Sequence, residues 1–250
     1  MALTDKLTNI ADAIRGKTGK TEELTLDQMA TEIAGIQAGG GASGESPFDH
    51  AVGLAYAFYG ATLPNGTELN VSFGDKAIMR TSYPNTNVLN NTFYCCEGVK
   101  SVKISSKLAF LKPFSMSYGF STCSSLETID LTGMPQPMVL SSIDRCFQNC
   151  TVLKAVLGEL DVSNCANFNN SFANTEVLET ISFKAETIKK SLSINKTSHL
   201  TDATIQNIID GLADLTGGTA QTLTLHATVG AKLTDAQKAS ASAKNWTISY

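Results

Sequence analysis

The chain has 250 residues, of which 42% are hydrophobic and 17% charged, so it can bury a full core and is not a disordered protein. Its formal net charge is −4 at pH 7, and its lysines and arginines are scattered. Because nucleic-acid backbones are bound by clustered positive charge, this distribution argues against a nucleic-acid partner.

Neither an export signal nor a membrane span is indicated. Charged residues, among them Asp12 and Arg15, interrupt the apolar residues near the N-terminus. The longest nearly uncharged apolar segment, residues 51–63, has 13 residues, whereas a membrane helix needs about 18 or more. We therefore expect no conventional export and no membrane insertion.

Residues 1–36 carry two apolar stripes with helical spacing. Each predicted helix has about three turns, which is marginal in isolation, so the stripes must be buried against each other, another subunit or a larger assembly. We predict a docking and oligomerisation module. Its stripe residues are Leu3, Leu7, Ile10, Ile14, Leu26, Met29, Ile33 and Ile36.

Two segments of different composition follow these helices. Residues 37–47 are rich in glycine and serine, which is typical of a flexible linker. In residues 48–87, Asn65-Gly66 lies between short apolar stretches, a pattern that predicts a β-hairpin. We interpret residues 48–87 as an N-terminal β cap of the domain that follows.

Residues 88–195 contain a repeated phrase, clearest from Phe120 to Leu131 as Phe-x-x-Cys-x-x-Leu-x-x-Ile-x-Leu. The leading phenylalanines recur 27, 27 and 25 residues apart. A fixed period of this size indicates a solenoid. The spacing of three predicts a tight helical turn and the final alternation a strand, so strands of successive repeats should pair in parallel. The leading phenylalanines are Phe93, Phe120, Phe147 and Phe172.

Two of the four repeats depart from this pattern. In the third, residues 156–162 allow two strand registers, and in the fourth Thr175 replaces the cysteine. Residues 196–250 alternate helical and strand patterns, which predicts a strand-helix-strand cap. The predicted fold class is thus α/β: a short leucine-rich-repeat-like solenoid with this cap, preceded by two N-terminal helices and a Gly/Ser linker.

The six cysteines favour neither a metal nor a disulfide framework. Cys96, Cys123 and Cys150 follow the repeat period, and the close pairs Cys95–Cys96 and Cys146–Cys150 have no histidine nearby. We predict reduced thiols packed as small hydrophobic groups.

Catalytic motifs are also not indicated. The turn Gly16–Thr21 departs from a phosphate-binding loop because Ile14 stands where glycine is needed. His50, His199 and His226 are far apart in sequence, and no Gly-x-Ser-x-Gly elbow occurs. We therefore predict a protein that is not an enzyme and that uses no metal or other cofactor.

The repeat phrase resembles BspA-type leucine-rich repeats. Residues 3–36 (LTDKLTNIADAIRG…) and 208–250 (IIDGLADLTGG…KNWTISY) resemble segments of phage and prophage tail or fibre proteins of Gram-positive bacteria. This resemblance implies a virion protein assembled in the host cytoplasm, whose N-terminus attaches to other tail or baseplate proteins. It also implies a homo-oligomer, with a trimer favoured over a helical hairpin within one chain.

Recognition residues are predicted in two places. The aromatic segment 110–120 could stack on sugar rings or anchor a protein through Phe114 and Tyr118, although folding onto the solenoid edge is the favoured alternative. Strand alternation also predicts an outward polar face. Its residues are Lys103, Glu127, Thr128, Asp130, Glu179 and Ser182.

These observations predict a non-enzymatic, tail-associated structural or adhesion protein that presents a host-recognition or assembly surface, with a host cell-surface glycan or protein as the possible receptor. One alternative is a bacterial cell-surface adhesin with the same repeats, which requires an export route. The other is an enzyme acting on cell-wall polymers, for which the chain offers no paired carboxylates at convincing spacing.

Overall fold

The computed structural model describes residues 53–73, 87–106 and 113–250. The strands in these residues are β1 (Thr62–Phe73), β2 (Glu97–Ser106), β3 (Phe114–Ser115), β4 (Thr128–Gly133), β5 (Met138–Ser142), β6 (Ala155–Asp161), β7 (Thr180–Phe183), β8 (Leu192–Ile194), β9 (Gln221–Leu225) and β10 (Trp246–Ser249). The helices are α1 (Asp202–Gly211), α2 (Ala227–Gly230) and α3 (Asp235–Ala243). The predicted N-terminal helices and the linker lie outside the described residues.

Seven strands form one sheet in the order β1-β2-β4-β6-β5-β3, with β7 paired to β6. Each of its strand pairs is parallel. The sheet forms a half-barrel accompanied by few helices. The predicted fold class, a leucine-rich-repeat-like solenoid with a strand-helix-strand cap, is therefore wrong.

The backbone of the turns gives a physical reason for this difference. The amide of Gly119 donates to the carbonyl of Met116 at 2.9 Å, a local turn bond, but the next amide, that of Phe120, donates to the carbonyl of Cys146 at 3.0 Å. The same alternation recurs in neighbouring turns. Because every second amide bonds the adjacent repeat, these segments extend the inter-repeat hydrogen bonding and do not form helices.

The parallel pairing of the repeat strands is confirmed. Val102 lies opposite Ile129, and Ile129 lies opposite Val156. The third repeat uses both of its possible registers, because β6 pairs with β4 before Gly158 and with β5 after it. Gly158 has φ 113°, a conformation that favours glycine.

The leading phenylalanines stack in the core. The ring centroids of Phe93 and Phe120 are 5.3 Å apart, and those of Phe120 and Phe147 are 6.1 Å apart, with nearly parallel planes. Phe58, which the sequence analysis did not assign to the repeats, continues the column at 4.9 Å from Phe93. Such pairs contribute about 0.5–1.5 kcal/mol each beyond the area they bury.

The cysteines form a second column, and all six are free thiols. The Sγ of Cys123 donates to the carbonyl of Phe93 at 2.8 Å, and Cys150 does the same to Phe120 at 2.9 Å. Thr175 departs from this pattern, because its hydroxyl donates at 2.7 Å to Phe172 of its own repeat. The cysteines of the repeats thus link successive repeats, as core residues.

The hairpin predicted around Asn65-Gly66 is wrong. Both residues lie inside β1, which pairs in parallel with β2. The register shifts between Thr62 and Thr67, and Gly66 has φ 84°. The Asn-Gly pair therefore occupies a bulge in a single strand, where the same positive φ is needed as in a tight turn.

The C-terminal residues form a separate three-stranded sheet in the order β10-β9-β8, and its pairs are also parallel. Helix α1 connects β8 to β9, while α2 and α3 connect β9 to β10. The indole of Trp246 donates to the carbonyl of Ala213 at 2.9 Å and fixes β10 against the loop after α1. Among the described helices, none has the length and apolar character of a membrane span.

Candidate recognition surface

The two predicted sets of recognition residues lie on different parts of the half-barrel. Within the aromatic segment, Phe114 is 2% exposed in β3, so the prediction that it contacts a ligand is wrong. Its strand position turns the ring into the core. Tyr118 is half-buried in the next turn and remains accessible.

Tyr118 belongs to a group of aromatic side chains on the turns. We define the tyrosine surface as Tyr56, Tyr59, Tyr94 and Tyr118. The rings of Tyr59 and Tyr94 stack with centroids 5.1 Å apart, and Tyr94 meets Tyr118 edge to face at 6.0 Å. Tyr56 lies 5.8 Å from Tyr59, and these two side chains are 62% and 53% exposed.

The turns place these side chains at equivalent positions of successive repeats. Tyr56 and Tyr118 occupy the same position in their turns. All five residues at this position have positive φ, namely Tyr56, Asn91, Tyr118, Arg145 and Asn170. Asparagine is common in this conformation, whereas a bulky residue there is unusual and costs about 1–2 kcal/mol. Three of the five positions therefore carry bulky side chains at an energetic cost that the core does not require.

Arg145 extends the tyrosine surface to the next repeat. Its guanidinium lies 5.3 Å from the ring centroid of Tyr118 and donates to the Tyr118 hydroxyl and to Asp144 Oδ2. The second oxygen of Asp144 is buried with no hydrogen-bond partner among the described residues. Arg145 thus orients Tyr118 while its own charge is balanced by Asp144.

The pKa of Tyr94 is raised by its surroundings on the tyrosine surface. The negative charge of the Cys95 thiolate form and a hydrogen bond with Cys95 raise the pKa of Tyr94, and burial adds to this effect. The tyrosine surface combines aromatic rings with hydroxyls that can donate and accept hydrogen bonds.

The polar sheet face predicted from strand alternation is present, but its charges are paired. Lys103 lies 3.3 Å from Asp130 on the neighbouring strand, and Lys154 lies 2.9 Å from Glu127. The hydrogen bond from Lys154 and its positive charge lower the pKa of Glu127. These ion pairs leave little unbalanced charge for a ligand.

The remaining predicted residues of this face have similar surroundings. Thr128 lies between Ser101 and Ala155 of the adjacent strands, and Ser182 lies opposite Glu159. Glu179 is exposed, and its charge contributes to the raised pKa of Lys154. The sheet face and the tyrosine surface are thus chemically distinct.

The buried thiols are poor nucleophiles. Burial raises the pKa of Cys96, Cys150 and Cys165 to about 12, and it also raises the pKa of Cys123 and Cys146. Thiols with such values stay protonated at neutral pH, whereas nucleophilic chemistry needs the thiolate. No group of His, Cys, Asp or Glu side chains in residues 53–73, 87–106 and 113–250 has a metal-binding arrangement.

Sequence reasoning named Tyr118 as a candidate but did not name Tyr56, Tyr59, Tyr94 or Arg145. A signal was present, because Phe58-Tyr59 and Phe93-Tyr94 repeat the same dipeptide at the start of the column. The 35-residue interval between them differs from the 27-residue period and hid this first repeat.

Comparisons with protein-family models, curated proteins and solved structures gave no match to this chain.

Proposed function

We propose that this chain is a non-enzymatic phage or prophage tail-associated protein that contacts the host cell surface through the tyrosine surface. The carrying observation is the row of four tyrosines along the turns. Tyr56 and Tyr59 are exposed, and Tyr56 and Tyr118 have positive φ, where the backbone favours asparagine or glycine. Bulky residues at such positions are explained by a role outside the fold.

The physical properties of the tyrosine surface suit recognition. Tyrosine offers a large contact area and a hydroxyl at a low cost in conformational entropy. The stacking of Tyr59 on Tyr94 and the contact of Arg145 with Tyr118 hold the rings in place before a ligand arrives. Preorganisation of this kind raises affinity by lowering the cost of ordering on binding.

The assignment to a tail is supported by the resemblance of residues 3–36 and 208–250 to tail and fibre proteins. In this proposal the N-terminal residues attach the chain to other tail or baseplate proteins and form a homotrimer. Three copies of the tyrosine surface would then act together, so that weak individual contacts give strong attachment.

Binding of fluorescently labelled full-length protein to intact Gram-positive cells tests the tyrosine surface. The variant carrying Tyr56→Ser and Tyr59→Ser is expected to bind at least about tenfold more weakly, because it lacks two aromatic anchors. The matched control carries Glu127→Ala and Lys154→Ala on the sheet face and is expected to bind like the wild type.

Melting temperatures of both variants show whether a loss of binding reflects unfolding. Equal binding by the tyrosine variant and the wild type, or a loss confined to the sheet-face variant, contradicts the proposal. Antibody detection in purified phage particles tests the tail assignment separately. Detection on the surface of uninfected, prophage-free cells, and not in particles, would instead assign the chain as a bacterial adhesin.

A further inference from the structure

The carboxyl ends of the three C-terminal strands meet at a shallow depression of about 510 Å³ that is remote in sequence from the tyrosine surface. Asn195 and Lys196 follow β8, His226 follows β9, and Tyr250 follows β10. This edge of a parallel sheet is where side chains of consecutive loops converge, and it is a common position for ligand sites. The volume lies in the usual range for small-molecule sites, about 300–1,000 Å³.

Three of the polar side chains that line the depression are exposed and make no hydrogen bond within the described residues. Within the described part of the chain, no residue hydrogen-bonds the side chains of Glu176, Asn195 or Lys196. Their formal charges cancel, since Glu176 carries a negative charge and Lys196 a positive one. These side chains therefore offer donors and acceptors whose formal charges balance.

His226 adds a donor whose orientation is fixed. Its Nδ1 accepts the amide of Thr228 at 3.2 Å, as the N-cap of α2. Because Nδ1 accepts, Nε2 is the nitrogen left to donate to another partner. The backbone of the opposite wall is held by the amide of Ser198, which donates to the carbonyl of Glu176 at 3.1 Å.

Tyr250 provides an aromatic platform at the rim. Its side chain packs directly on Gly230 of α2, where an added Cβ would lie 2.2 Å from the ring atom Cγ. The side chain is nevertheless 57% exposed. Contact on one side and exposure elsewhere leave the ring available to a ligand that also reaches the polar side chains.

We infer that this depression binds a neutral saccharide unit of one or two rings. Sugar hydroxyls each donate and accept hydrogen bonds, which matches the charge-balanced set of Glu176, Asn195, Lys196 and His226. The apolar face of a sugar ring packs on an aromatic side chain, the role of Tyr250. An anion would gain no net attraction from these side chains, because it meets Glu176 as well as Lys196, and an apolar ligand would strip water from the unpaired polar groups. The inference does not depend on the proposed role of the tyrosine surface.

Saturation-transfer NMR with free disaccharides tests the inference on the full-length protein. The probes are cellobiose, maltose and N,N′-diacetylchitobiose at millimolar concentrations, with inorganic phosphate as an anionic comparison. At least one disaccharide is expected to receive saturation from the wild type. Tyr250→Ala is expected to raise the dissociation constant of that disaccharide at least about tenfold, whereas Tyr250→Phe keeps the ring and most of the affinity.

The matched control is Val152→Ala, which truncates an exposed side chain outside both the depression and the tyrosine surface and should leave disaccharide binding unchanged. Lys196→Ala provides a second variant and should also weaken binding. Three results overturn the inference: no saturation transfer to any disaccharide, equal binding by Tyr250→Ala and the wild type, or binding of phosphate in place of the sugars. Because free sugars replace cells here, failure of this test leaves the cell-binding result unaffected.

Discussion

The seven-stranded half-barrel and the C-terminal three-stranded sheet are both parallel, but they connect their strands differently. In the half-barrel, turns bond directly to the turns of neighbouring repeats, as Phe120 does to Cys146. In the C-terminal sheet, helices cover the core between strands. The first arrangement displays rows of equivalent side chains, whereas the second gathers different side chains around a depression. The half-barrel therefore carries a row of tyrosines, and the C-terminal sheet carries a cluster of different polar side chains.

The two regions nevertheless share one hydrophobic core. The amide of Phe183 in β7 donates to the side chain of Asn207 in α1 at 2.7 Å, and the Asn207 amide group returns a bond to the Phe183 carbonyl at 3.0 Å. We therefore expect them to unfold together despite their different connections.

The largest expected effect comes from Phe120→Ala, in the middle of the phenylalanine column. It should lower the free energy of unfolding by about 3–5 kcal/mol, because it leaves a cavity between Phe93 and Phe147. Urea unfolding is followed by circular dichroism and by the fluorescence of Trp246, the chain's single tryptophan. Both signals should shift together, and a fluorescence transition that stays in place would show that the two regions unfold independently. The exposed Val152→Ala is the control, with a change below about 0.5 kcal/mol.

A smaller effect is expected from Gly158→Ala in β6. An alanine at φ 113° is strained, and its Cβ would lie 3.2 Å from the Leu131 carbonyl carbon, so stability should fall by about 1–3 kcal/mol. Gly217→Ala tests strain without crowding, because at φ 79° a Cβ there meets nothing within 4 Å. If both variants lose the same free energy of unfolding in urea, the close contact between Gly158 of β6 and β4 contributes nothing to the loss.

Cys123→Ala should cost about 1–2 kcal/mol, again measured by urea unfolding. It removes a buried thiol and its bond to the Phe93 carbonyl, although that carbonyl keeps the amide of Cys96 as a donor. Cys95→Ala, at a half-buried position, is the control and should change stability by less than about 0.5 kcal/mol. A neutral Cys123→Ala would mean that neither the packing of this thiol nor its hydrogen bond stabilises the fold.

The smallest expected effect concerns Asp161 at the end of β6, which lies 3.0 Å from Lys184. Burial alone would raise the pKa of Asp161, but hydrogen bonds from Ser163 and Lys184 hold it below its ordinary value of 3.8. The folded state therefore favours the charged form, and this stabilisation is present above pH 3.8 and lost as the pH falls through the lower folded value. Asp161→Asn should lower the free energy of unfolding by less than about 1 kcal/mol at neutral pH. It should also flatten the acid limb of the curve of unfolding free energy against pH. An unchanged acid limb would contradict this assignment.

The sequence predicted the parallel pairing of the repeats, because the period of 27 residues places Val102, Ile129 and Val156 in register. It could not predict the half-barrel. Apolar residues three positions apart occur both in helical turns and in turns that hydrogen-bond to a neighbouring repeat. The Asn65-Gly66 hairpin was wrong for a similar reason, because a bulge and a hairpin need the same positive φ.

The candidate recognition residues were harder to predict than the core. Phe114 and Tyr118 are four residues apart in one aromatic segment, yet one is buried in a strand and the other lies on a turn. The depression at the carboxyl ends of β8, β9 and β10 joins residues up to 74 positions apart, from Glu176 to Tyr250, so local patterns carry no signal for it.

The central claim is that the tyrosine surface contacts the host cell, and chemical protection measured by mass spectrometry tests it most directly. Tyrosine nitration and lysine acetylation are compared between free protein and protein bound to intact Gram-positive cells. We predict that Tyr56 and Tyr59 are nitrated in the free protein and protected on cells, while Lys103 and Lys154 on the sheet face are acetylated equally in both. Protection of the sheet-face lysines with unchanged nitration of Tyr56 and Tyr59 would contradict the account.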